Sequence, residues 1–263
     1  MNRSSGDRAT SSTSSASSTL LPRSSTTSTA LPDLRPTIHH YLWHPDRDVS
    51  ATSDSSSLTV TFETMGDGPS ILLLPAFSTV SNRAELTALA QALAPYYQVT
   101  TLDWPGFGES ERPRMAYTPD MYRRFLLDFV QAHWSEPLAV MSAGHAAGVV
   151  MALEPEGLWS KVTLVAPTWR GPLAVMGAPQ AMRTGIRELV RSPLIGQFLY
   201  YLNTRPSFLK WMYRRHVVVD AAQLTPEYMQ SRYQSTQKLG ARYAPAAFVT
   251  GGLDPVHHRE EFL

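Results

Sequence analysis

The sequence predicts an α/β fold, a mostly parallel sheet with helices on both faces. Two observations carry this. Short apolar runs with strand character alternate with stretches whose apolar residues recur every three or four positions. Between two of the expected strands, from Arg170 to Arg242, the strand signal stops and a helical, aromatic and basic segment takes over. A helical insertion between sheet strands reads as a lid.

The elements follow in order. His40–Trp43 and Leu58–Phe62 are two early strands, the second with Leu58, Val60 and Phe62 alternating against Thr59 and Thr61. Ile71–Leu74 is a continuous apolar run, as suits a strand covered on both faces. Asn82, with Glu85 three residues on, forms a capping-box pattern and opens a helix carrying Leu86, Leu89 and Leu93 on one face. Val99–Leu102 is the next strand. Thr118 caps a helix with Pro119 at its first position and Phe125, Leu126, Phe129 and Val130 as its apolar stripe. Leu138–Met141 is a strand, Val149–Leu153 a helix, Val162–Val165 a strand, and Ala246–Thr250 the strand that resumes the sheet after the lid. The sheet helices and strands therefore divide the chain into a core at 31–169, a lid at 170–242 and a continuation of the core at 243–263.

Length, charge and composition narrow the function. The chain has 263 residues, 23 Lys+Arg against 22 Asp+Glu, and no cysteine. A net charge of +1 gives no overall attraction to nucleic acid, so no nucleic-acid partner is expected. Without cysteine there is no disulfide, thiolate nucleophile or thiolate metal site. No window holds the roughly 18 uncharged apolar residues of a membrane span. Residues 1–30 hold 11 Ser and 6 Thr, with Arg3, Arg8 and Arg23 against the single acid Asp7. Such a segment buries too little apolar surface to fold, and its composition is that of an organellar transit peptide, which implies a chloroplast location. The other reading is a flexible tail on a cytoplasmic protein. The polar run Ser50–Ser57 reads as a loop.

The motifs, in this order, resemble those of the α/β-hydrolase superfamily from about Thr59 to Leu263. Leu72–Phe77 (LLLPAF) occupies the place of the family's oxyanion loop after its third strand. Asp103–Ser110 (DWPGFGES) is similar to the loop after the fourth. The insertion at 170–242 falls where the family carries its cap, and Gly251–Pro255 (GGLDP) resembles the segment that bears the catalytic acid. The resemblance extends to cyanobacterial and plastid members with a GHAA-type elbow.

The resemblance also implies where chemistry belongs. The nucleophile elbow is a strained strand–turn–helix bend flanked by small residues. Gly144-His145-Ala146-Ala147-Gly148 matches it and puts Ala146 at the nucleophile position, where a methyl group cannot attack a carbonyl. Ser142 is the nearby hydroxyl, four residues upstream of Ala146 and expected within or at the end of its strand. Asp254 matches the acid position or is a turn residue. The family's histidine follows an eighth strand, for which the nine residues after Asp254 leave no room, so the last strand is expected to be missing. His257 and His258 are expected to face solvent.

The amides of Phe77 and Ala147 match the oxyanion hole, with Pro75-Ala76 in place of the usual His-Gly. Phe77, His145, Ala147 and Trp169 are the residues expected to line a ligand site. His145 either polarises a ligand or is a hydrogen-bonded core residue. His39, His40 and His44 have no acidic partners at useful spacing, so no metal is expected. The glycines lack dinucleotide or phosphate-loop spacing, so no cofactor is expected.

Three functions follow. The first is a protein that binds a small hydrophobic or acyl ligand between sheet and lid without hydrolysing it. The second is an active family member, an ester hydrolase or a cofactor-independent lyase or oxygenase, whose catalytic base is expected beyond Leu263. The third is an interaction protein. In that reading the basic lid, with eleven Lys+Arg and three acids between 170 and 242, docks on an anionic membrane or partner.

Overall fold

The computed structural model describes residues 35–45, 57–216, 218–256 and 260. The Ser/Thr-rich start, nearly all of the 50–57 loop, and His257 and His258 lie outside these residues. Six strands form one sheet: β1 (Thr37–Trp43), β2 (Leu58–Met65), β3 (Ser70–Leu74), β4 (Gln98–Leu102), β5 (Leu138–Ala143) and β6 (Trp159–Val165). Their order is β1-β2-β4-β3-β5-β6, antiparallel at β1/β2 and β2/β4 and parallel from there on.

The two faces of the sheet can be read from β3. Ile71 and Leu73 turn to one side, where they meet Val99 and Met65 and the buried Ala90 of α1 (Thr87–Leu93). Leu72 and Leu74 turn to the other, against Phe125 and Phe129 of α2 (Pro119–His133) and Val150 of α3 (Ala147–Ala152). The period of two along the strand thus matches a helix layer on each side. Thr118 caps α2 as expected, accepting from the Met121 amide at 3.2 Å. The capping box before α1 is only half formed. Asn82 Oδ1 accepts the Ala84 amide at 3.1 Å and opens a short 3₁₀ turn, Arg83–Leu86, while the Glu85 carboxylate turns to the Ser81 hydroxyl at 2.7 Å.

The expected strand at Ala246–Thr250 is a helix, α9 (Tyr243–Val249). Ala244, Ala246 and Ala247 are strong helix formers, and Pro245 falls in the first turn, where its missing N–H costs nothing. An apolar run this short does not separate strand from buried helix by periodicity. Among the described residues the lid consequently follows the last strand of the sheet rather than preceding its next-to-last, and β6 forms an edge whose Val162 and Val165 are exposed. The expected cover on both faces does not extend to this strand.

The lid holds α4 (Pro172–Val175), α5 (Gln180–Arg191), α6 (Ile195–Thr204), α7 (Pro206–His216) and α8 (Pro226–Thr236). Leu209, Tyr213, Leu224 and Met229 pack with Val80 of the core in a separate cluster. An ion pair fastens α8: buried Arg232 donates to Glu85 Oε1 at 3.1 Å. Among the described residues, no helix is long and apolar enough to cross a membrane.

Candidate functional site

The turn after β5 is where the sequence places the chemistry. Its sharp bend falls on Gly144, at φ +55°, directly after the strand. Ala146, expected at that bend, has φ −63° and ψ −20° and is fully buried in the core. The bend lies two residues earlier than the GHAAG spacing indicates, because glycine takes positive φ without the Cβ clash that alanine meets. A side chain at Gly144 would point to Ala76 of the loop after β3, whose Cβ lies 3.0 Å from the ideal Cβ position. Gly144 carries no side chain and Ala146 only a methyl group.

The neighbouring groups are occupied or enclosed. Ser142 is fully buried in β5, paired in register with Leu74. The Ala147 amide, expected to face a ligand, is bonded within the turn to the carbonyls of Gly144 and His145. Phe77 is buried, its ring 5.4 Å from Phe107 and 4.7 Å from Tyr122. The loop carrying it is held by Trp104, whose indole donates to the Pro75 carbonyl at 2.9 Å. Trp169 is half-buried after β6, with the Arg170 guanidinium 5.3 Å from its ring centre.

His145 is a hydrogen-bonded core residue here. Its Nε2 lies 2.7 Å from the Leu253 carbonyl, which can only accept, so Nε2 carries the proton. Asp254 Oδ1 stands 3.5 Å from the same nitrogen and accepts the Gly171 amide at 2.7 Å. Burial pushes the imidazole below its ordinary value, while Leu253 and Asp254 pull the other way. His145 Nδ1 is buried without a partner among the described residues. The elbow and the Asp254 loop also touch at Gly148, where any Cβ would overlap the Pro255 ring.

Two clusters were not singled out by sequence reasoning. Arg183 and Arg187, one turn apart on α5, line a cavity of about 110 Å³ with Thr250, Gly251 and Asp254. Arg183 Nη1 donates to the Thr250 carbonyl at 3.1 Å. Their i, i+4 spacing was the available signal, but nothing in sequence tells which loop such a pair faces. The second cluster explains the DWPGFGES motif. Asp103, fully buried, accepts from the amides of Arg83 at 2.7 Å and Glu109 at 2.9 Å and pairs with the Arg83 guanidinium. Arg83 also reaches Glu63 at 3.1 Å and Glu109 at 2.5 Å. Burial pushes the Asp103 carboxyl up, and the arginine and the two amides act against it.

Space near the elbow is limited. A cavity of about 50 Å³ lies between Phe77, Tyr122, Gly148 and Leu253. A more open groove of about 770 Å³ is walled by Trp43, Leu58, Met115, Met121 and Leu239 and shares no residue with the elbow. Among the described residues, no group of three or more His, Asp or Glu side chains is placed to hold a metal ion.

The sheet order, the bend after β5 and the inserted helices define an α/β-hydrolase fold. Residues 71–262 match the alpha/beta hydrolase family, and the chain belongs to it. Solved structures agree at the level of fold. Cfl2 from Burkholderia cenocepacia is 17% identical with a TM-score of 0.61, over 82% of this chain and 71% of its own. The epoxide hydrolase CorEH is 16% identical with a TM-score of 0.57, over 86% and 75%. The haloalkane dehalogenase DatA from Agrobacterium tumefaciens C58 is 16% identical with a TM-score of 0.56, over 81% and 67%. No curated protein matches the sequence.

Proposed function

We propose that this protein binds a small hydrophobic or acyl ligand beneath α4 and α5 and does not hydrolyse it. The observation that carries the reading is the elbow: Gly144 at the bend and Ala146 two residues on both lack a nucleophilic atom. An acyl transfer needs such an atom, activated by a base within hydrogen-bond reach. His145 Nε2 donates its proton to Leu253, so that nitrogen has no lone pair with which to take a proton from a hydroxyl. Arg183 and Arg187 supply cations for a carboxylate headgroup beside the Asp254 loop. A cavity of about 110 Å³ holds a headgroup but not a chain, so the ligand enters as α4 and α5 move outward.

The test pairs calorimetry with decanoate and labelling with a serine-directed fluorophosphonate. Saturable binding is expected, weakened about tenfold or more in Arg187→Gln as a charge-assisted hydrogen bond is lost. No serine is labelled. Labelling of Ser142 or any other serine, with ester turnover that disappears in Asp254→Ala, would favour a second reading. In that reading the chain is an active hydrolase using the His145–Asp254 approach at 3.5 Å.

A further inference from the structure

The lid has an outer face that its packing against the core does not explain. On α6, Gly196, Tyr200 and Thr204 recur at i, i+4 and i+8 and are buried. The opposite stripe, Ile195, Phe198 and Leu202, is the more apolar of the two and lies in solvent, with Phe198 60% exposed. A helix normally turns its apolar stripe away from water, so this side is expected to be covered. The stripe continues past each end of α6. Leu194 just before it is 85% exposed. On α7, Phe208 and the 55% exposed Trp211 lie against each other at a tilt, with ring centres 5.7 Å apart.

The charge along this stretch of chain has one sign. Between Glu188 and Asp220 there is no acidic residue, and the same stretch carries Arg191, Arg205, Lys210, Arg214 and Arg215. The last four are exposed, on or beside α7. Tryptophan, phenylalanine and leucine flanked by arginine and lysine are what an interfacial helix uses. The rings enter the boundary between headgroups and acyl chains, and the cations stay among lipid phosphates. A second copy of this chain docked face to face would set these cations against the same cations, which opposes self-association.

We infer that α6 and α7 dock this protein on an anionic lipid bilayer through Leu194, Ile195, Phe198, Leu202, Phe208 and Trp211, with Arg205, Lys210, Arg214 and Arg215 on the phosphates. The attraction is partly electrostatic, so it weakens as salt rises. Each cation near such a surface contributes about fivefold in partitioning.

The test is flotation of the full chain with phosphatidylcholine vesicles, with and without phosphatidylglycerol. Binding is expected to the anionic vesicles alone and to fall in high salt. Arg214→Gln/Arg215→Gln is expected to weaken it about 25-fold. Phe198→Ser is expected to weaken it at unchanged salt dependence, with circular dichroism confirming the fold. Should Phe198→Ser unfold, the glutamine pair, at exposed positions, still decides. Equal binding to both vesicle types, no binding by folded protein, or full binding by the glutamine pair would each overturn the inference. So would a dimer in sedimentation velocity that Phe198→Ser dissociates, which would assign the face to a second copy.

Discussion

Asp254 is hydrogen-bonded to the start of the lid: its Oδ1 accepts the Gly171 amide at 2.7 Å, across 83 residues of chain. Gly171 is the residue immediately before α4. The same oxygen stands 3.5 Å from His145 Nε2, so one carboxylate joins the elbow, the loop after α9 and the first lid helix.

A neutral asparagine keeps an oxygen that accepts, and alanine does not. Asp254→Ala is therefore expected to cost about 1 kcal/mol locally. Hydrogen exchange should be faster from Gly171 to Val175, while Asp254→Asn leaves these amides protected. Equal protection in all three proteins would show that the bond does not hold the lid.

His145 makes stability depend on pH, with a sign fixed by its burial. The folded imidazole titrates below the unfolded value of about 6.5, so as pH falls past about 6.5 the unfolded chain takes up a proton that the folded chain refuses. Stability from this group is complete above that value and is lost below it. The wild-type melting temperature is expected to drop between pH about 7.5 and about 5.5 by more than that of His145→Gln, whose side-chain amide can still donate to Leu253. Identical slopes would mean that the other histidines set the dependence.

Arg83 neutralises a buried carboxylate, and removing it leaves Asp103 with its two amide donors but without the cation that offsets its burial. Arg83→Met is expected to destabilise by about 3–5 kcal/mol in urea unfolding. Adding Asp103→Asn should recover part of this, because an amide carries no charge to strand. A loss under about 1 kcal/mol would show that water reaches Asp103 and solvates it.

Most of the core was legible because its helices bury one apolar stripe each and its central strands are short apolar runs buried on both faces. Thr118 with Pro119, and the stripe Phe125, Leu126, Phe129 and Val130, gave α2 and its orientation together. Motif order gave the family, since Leu72–Phe77, Asp103–Ser110 and Gly251–Pro255 keep their sequence positions whatever the local geometry. Other features were not legible. Ala246–Thr250 is apolar in either conformation, and only the tertiary position of Pro245 in a first turn decides for helix. The bend at Gly144 depends on which of several small residues takes positive φ, and the spacing of two glycines in GHAAG does not determine that. The tie from Asp254 to Gly171 and the Arg83–Asp103 pair are long-range contacts, which no local pattern encodes.

The position of the elbow bend can be read by substitution. Alanine at Gly144 would have to hold φ +55° and bring its methyl to 3.0 Å from that of Ala76. A left-handed alanine costs about 1–2 kcal/mol, so Gly144→Ala should be destabilised by at least that much. At a residue with ordinary negative φ the same change stabilises by about 0.4–1 kcal/mol through the unfolded chain, so the sign alone separates the two registers. Ala146→Ser provides the matching chemical test. Ala146 is fully buried and right-handed, so the new hydroxyl is enclosed in the core and is expected to stay unlabelled by a fluorophosphonate. A label at position 146, together with a stabilised Gly144→Ala, would place the bend and the nucleophile position on Ala146, as the spacing of the motif implies.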